Sequence, residues 1–197
     1  MDRQPYYNAV KANLETNIFY HSLALEACML GLHDYLQQNN FLDSNEPSRE
    51  EWGLAGLIHD IDYAGDTKEQ HPQKTIEVLK KYNLEISLTV DQIVKYHDAR
   101  AGLPVGALAK AGWALRCADS LTGLITAVAL IYPSKKLAEV KVSSVLKRFL
   151  KEPKFAAGTR RDEVILCQDS DKLNIPLEKF IEICLISMQG ISTEINL

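Results

Sequence analysis

Four of the chain's five histidines stand where histidine is awkward. His21 lies one turn before Leu25 on the apolar stripe Leu25, Met29, Leu32 and Leu36. His59 and Asp60 close the run 54–58, which is apolar on every side. His71 shares a helical face with Thr75, Val78 and Tyr82, and His97 ends the stripe Ile86, Val90 and Ile93. Asp119 sits in a stretch, 111–132, whose one other charged residue is Arg116, and it falls on the face of Leu108 and Leu115. A buried carboxylate without a partner costs several kcal/mol. Asp119 therefore needs Arg116, a histidine or a cation beside it.

Each of these residues alone has an ordinary explanation. A single histidine on an apolar face is more often a satisfied core residue than a ligand. Asp119 could pair with Arg116, and Asp60 could cap the following loop through backbone N–H groups. Taken together, four histidines and two aspartates need separate excuses, whereas one metal centre satisfies them all. Neutral imidazole and carboxylate are the ligands that hold Mn, Fe, Ni, Co, Zn or Mg. The expectation is a divalent metal centre. The fifth histidine, His33, is twelve residues past His21. That is about 120° round a helix, so it should face elsewhere, as a surface residue.

The elements that must position these groups are helices. Periodicity predicts them over about 6–18, 20–39, 49–60, 70–82, 87–99, 105–131, 135–151, 159–172 and 177–190, with breaks at 39–47, 63–70 and 101–104. No alternating run bounded by turns speaks for a strand. The fold class is all-α.

Composition sets the frame. The 197 residues suit one domain, 1–197, large enough to bury a core without disulfides. The apolar and charged fractions, 46% and 24%, are those of an ordinary globular protein. A net charge of −4 does not point to a specific nucleic-acid partner. The charge is uneven, however: residues 135–161 carry nine Lys or Arg and two acids, Glu139 and Glu152. A solvated helix face is favoured there over phosphate binding. Cys28, Cys117, Cys167 and Cys184 form no CxxC pair and read as small core hydrophobes. The N-terminus lacks a signal-peptide core, and the longest apolar stretch, 121–132, is too short to span a bilayer. The expected setting is the cytoplasm, with no membrane partner.

The ordered set His21, His59-Asp60, His71, His97, Asp119, in the stretches YHSLALEACM, WGLAGLIHDIDY, EQHPQKTIEVL, VKYHDA and ALRCADSLTGLI, resembles the HD superfamily of metal-dependent phosphohydrolases. It is most similar to the group of small predicted HD hydrolases. The resemblance covers about 17–132 and implies an HD-type helical bundle, with 133–197 as a helical extension. It further implies that His21, His59, Asp60 and Asp119 bind one metal. His71 and His97 would bind a second, bridged through Asp60. Two departures stand out. The chain reads His59-Asp-Ile-Asp62 where many relatives read His-Asp-Ile-Gly, so Asp62 is either an acceptor orienting a ligand histidine or a helix-end carboxylate. The Gly-Tyr-Pro signature of cyclic-dinucleotide phosphodiesterases is absent, and Gly102-Leu-Pro104 does not stand for it.

The chemistry implied is hydrolysis of a phosphate ester by metal-activated water, with a nucleotide or another small phosphorylated molecule as partner. Asp60, His71 and His97 are the catalytic candidates. Lys110, Arg116, Lys154, Arg160 and Arg161 are candidates to hold substrate phosphate, against the plain reading that they are solvated. Two other readings stay open. One is a metal-scaffolded nucleotide-binding or regulatory module with little turnover, and the other is a di-iron oxygenase of the HD fold. A homodimer is allowed, and the sequence does not decide it.

Overall fold

The computed structural model describes residues 2–98, 102, 104 and 106–197. Among these residues there is helix and no strand. Nine α-helices follow in order: α1 (Gln4–Asn13), α2 (Thr16–Gln38), α3 (Arg49–Ile58), α4 (Thr75–Lys81), α5 (Leu88–Lys95), α6 (Ala109–Ile131), α7 (Val142–Lys151), α8 (Arg161–Val164) and α9 (Leu177–Gly190). Short 3-10 turns lie between several of them.

Two helices of 23 residues, α2 and α6, form the centre and pack on each other. Helix α2 also meets α1, α3 and α9, so leucines and Cys28 on several of its faces are buried. Helix α6 is covered by α3, α5, α7, α8 and α9. By length and composition α6 could cross a membrane, being longer than its apolar tail alone suggests, but most of it is buried in this bundle.

Local chemistry sets the helix ends that matter for the site. Ser48 and Glu51 form a reciprocal capping box that starts α3: Glu51 N–H donates to Ser48 Oγ and Ser48 N–H donates to Glu51 Oε2. The helix closes at His59, its C-cap residue. Gly56 lets α3 lie directly on α2. A Cβ there would come within 2.9 Å of the Glu26 backbone, which cannot move aside. Ser87 caps α5 by accepting from Val90 N–H. Helix α6 stops at Tyr132, held extended before Pro133.

Several expected boundaries change. Residues 71–74 are not helical: a 3-10 turn, Gly65–Gln70, fills most of the break expected over 63–70, and α4 begins only at Thr75. The helix expected over 135–151 starts at Val142, after a turn with Lys135 at φ 52. The one expected over 159–172 is the four-residue α8 followed by a 3-10 turn. The helix expected over 87–99 ends at Lys95 and the one expected over 105–131 begins at Ala109 after a 3-10 turn, while residues 99, 101, 103 and 105 lie outside the described residues.

Candidate metal centre

The site is built where α2, α3, α5 and α6 converge. Helix α2 supplies His21 and α6 supplies Asp119. The end of α3 supplies His59 and Asp60, the segment before α4 supplies His71, and the end of α5 supplies His97. The six form two triads, His21–His59–Asp119 and Asp60–His71–His97.

The backbone and its neighbours fix the orientation of each imidazole through Nδ1. His59 Nδ1 is 2.9 Å from the Gly56 carbonyl, and His97 Nδ1 bonds the Val94 carbonyl, each three residues back. His71 Nδ1 is 2.6 Å from Asp62 Oδ1. Carbonyls and carboxylates only accept, so these three rings donate from Nδ1. His21 Nδ1 lies 2.9 Å from Thr122 Oγ1, which itself donates to the Asp119 carbonyl and so accepts from the ring. Each neutral imidazole then presents a bare Nε2.

Those bare nitrogens face one another. His21 Nε2 is 3.1 Å from His59 Nε2, and His71 Nε2 is 2.8 Å from His97 Nε2. Asp119 Oδ1 lies 3.0 Å from His21 Nε2 and 3.9 Å from His59 Nε2. Asp60 turns one oxygen to each group: Oδ2 is 3.3 Å from His59 Nε2 and 3.8 Å from His21 Nε2, while Oδ1 is 3.3 Å from His71 Nε2. Lone pairs crowded this closely repel unless a positive charge lies among them. Atoms about 2.1 Å from a shared cation stand roughly 3.0–3.4 Å from each other, and the distances here, from 2.8 to 3.9 Å, bracket that spacing. The donor set fits a divalent metal in each triad.

Charge balance agrees. Burial would raise the Asp60 and Asp119 carboxyls, but the surrounding imidazoles outweigh it and hold both well below the usual carboxylate range. Burial and the charge of His59 push His97 down to about 4. Burial also works against His21, but its bond to Asp119 prevails and its pKa is raised.

Asp62 is the acceptor of the two alternatives the sequence left for it. It is fully buried and bonds His71 through Oδ1 and the Lys74 N–H through Oδ2. Thr122 does the same service for His21. It is one turn past Asp119 on the same face, the signal by which the sequence could have revealed it.

The five candidate phosphate-binding side chains part company. Arg160 reaches the centre. Its Nη2 is 2.5 Å from Asp119 Oδ2, its Nε is 2.7 Å from Glu163 Oε2, and it also bonds Ser120. With Ser120, Gly123, Gly158 and Thr159 it lines a cleft of ≈ 440 Å3 onto which His21 and Asp119 open. Lys154 is exposed, as are the other lysines of 135–154, in keeping with a solvated face. Three placements correct the sequence expectation. Lys110 donates to the Phe41 carbonyl. Arg116 is not the partner of Asp119 but is buried against Glu163, 3.0 Å from its Oε1. Arg161 turns away to bond the carbonyls of Phe149, Phe155 and Glu152, tying down the loop that carries Arg160. His33 does point away from the centre, yet it is no surface residue. It is 6% exposed and packs edge-on against Trp52, because α3 covers that side of α2.

A family model described as HD domain matches residues 18–126, more than half of the chain. The chain belongs to the HD domain family. No curated protein and no solved structure matches it significantly. The match spans α2 through most of α6, so every residue of the two triads in this HD domain falls inside it. Membership places the chain in a superfamily of metal-dependent phosphohydrolases, mostly hydrolases that use divalent metals.

Proposed function

We propose that this HD domain hydrolyses a phosphate ester of a nucleotide or another small phosphorylated molecule, using two divalent cations. The observation that carries the reading is the convergence of four Nε2 atoms, each on a ring whose Nδ1 is already committed, around the two oxygens of Asp60. His21, His59, Asp119 and Asp60 Oδ2 would hold one cation, and His71, His97 and Asp60 Oδ1 the other. A divalent cation supplies acidity to water and draws electrons from a phosphoryl oxygen.

The chain's own groups do the rest. Asp60, kept ionised, faces both triads and fixes their separation. Arg160 holds Asp119 Oδ2, which leaves Oδ1 turned inward, and its guanidinium stands where a phosphate entering the cleft would meet it. In the reaction a water oxygen bonds to phosphorus, the ester P–O bond breaks, and the departing alcohol oxygen takes up a proton.

Metal analysis of protein purified without an affinity tag, with a panel of phosphoesters assayed for phosphate release, tests the reading. Two metals per chain and turnover are expected. Anomalous diffraction at the metal edge showing one peak in loaded crystals sinks the two-cation arrangement. Bound iron with oxygen consumption and no phosphate release replaces hydrolysis by the oxygenase reading.

A further inference from the structure

The candidate centre opens on two sides of His21, and the second side has no part in the scheme above. Besides the cleft that leads to Arg160, a cavity of ≈ 440 Å3 extends along Ile18 and Tyr20 of α2, Thr126 and Leu130 of α6, and Ile195. That volume lies within the usual range for small-molecule sites. His21 and Gly123 line both spaces, so the two adjoin beside the centre.

The two arms differ in chemistry. The first offers a guanidinium and the hydroxyls of Ser120 and Thr159. The second is walled mostly by hydrocarbon, with Asn17 and Asn196 as its polar side chains beside the Tyr20 and Thr126 hydroxyls. Gly123 stands at their junction, one turn beyond Asp119. A Cβ there would meet nothing within 4 Å, so packing does not demand glycine. Mid-helix propensity disfavours it. Without a side chain, Gly123 adds no bulk to the border between the arms.

We propose that the second arm takes the alcohol half of the substrate, that this half is an alkyl or aryl group, and that Gly123 sets the width of its entry. The proposal rests on the phosphoester reading. With phosphate drawn to Arg160 and the centre, the ester oxygen points past His21 into the apolar arm. The side chains of Ile18, Leu130 and Ile195 reward a hydrocarbon group there, and they give a sugar's hydroxyls nothing to bond.

Calorimetric titration of Mn2+-loaded protein with methyl-, butyl- and benzylphosphonate, and with 3-hydroxypropylphosphonate, tests this without turnover. Affinity should rise about two- to fourfold per buried methylene, and the hydroxylated analogue should lose that gain. Gly123→Leu and Leu130→Asp should each bring the butyl-to-methyl affinity ratio close to one. Leu130 is 50% exposed, so its variant keeps the test available should the Gly123 variant fold poorly. Equal affinity of methyl- and butylphosphonate in the parent protein, or a ratio unchanged in both variants, overturns the proposal. Binding of no phosphonate at all, with metal content intact, removes the phosphoester reading and the inference together.

Discussion

The carboxylate of Asp62 is wholly buried with both oxygens engaged, one by His71 and one by the Lys74 amide. It fixes which ring nitrogen of His71 is free, a task that commonly accounts for a tenfold to hundredfold change in metal affinity. Asp62→Asn removes the charged acceptor and turns two donors toward Lys74 N–H or the ring. Titration against a competing chelator should show one of two cations bound about 10–100-fold more weakly, with the other unchanged. Equal loss of both would contradict separate triads. The ligand candidates themselves were legible because histidine and aspartate are costly on apolar faces, and six such anomalies share one remedy. Their supports were less so. The Gly56 and Val94 carbonyls are invisible to any reading by residue type. The partner of Arg116 is 47 residues away, in the short α8, beyond the reach of helical spacing.

At the scale of elements, the crossing of α2 over α3 is the closest approach that bears on the site. Gly56→Ala would drive a methyl group into the Glu26 backbone, 2.9 Å away, and also shift the carbonyl that aims His59. Overpacking of this kind costs about 1–3 kcal/mol. Urea unfolding should show that loss together with weakened metal binding, and an unchanged midpoint would mean that the helices separate freely. Arg161 offers a contrast. Its guanidinium bonds carbonyls at the end of α7 and in the following loop, so Arg161→Ala should loosen residues 152–160 to hydrogen exchange and lower turnover through a misplaced Arg160. Metal content should be unaffected, and loss of metal would show that the loop supports the triads too. The long, strongly periodic helices α2, α6 and α9 were readable from apolar spacing. The segments 71–74, 135–141 and 165–172 were not, because proline, left-handed residues and tertiary bonds override propensity there.

For the whole molecule, cations held by the two triads would act as cross-links among four helices and the segment before α4. At about one hundred times its dissociation constant, one such ion adds roughly 2.7 kcal/mol. Chelation should therefore lower Tm by about 5–10 °C in a chain of this size, and an unchanged Tm would argue against any structural coupling. The chelated protein should also be acid-sensitive. His97 titrates at about 4 when folded and near 6.5 when unfolded, so the unfolded chain holds the extra proton between these values. Stability from this group is present above about 6.5 and lost as pH falls toward 4. His21, with its raised pKa, works in the opposite sense, its share being full below about 6.5 and lost as pH rises through the raised value. His97→Gln should flatten the acid limb of a Tm-against-pH curve while leaving the His21 limb in place.

Thr122 holds His21 across α2 and α6, and Asp119 completes the same triad from the far end of the family match. A ribosome therefore releases the first histidine long before its companions on α6. Until α6 has emerged and docked, the growing chain carries loose imidazoles and one aspartate, a set that any stray transition metal can visit and leave. A cation shared by His21, His59 and Asp119 would be held tightly only after α6 has docked, late in synthesis. Stalled chains ending before Asp119 should release metal to a weak chelator that the complete protein resists.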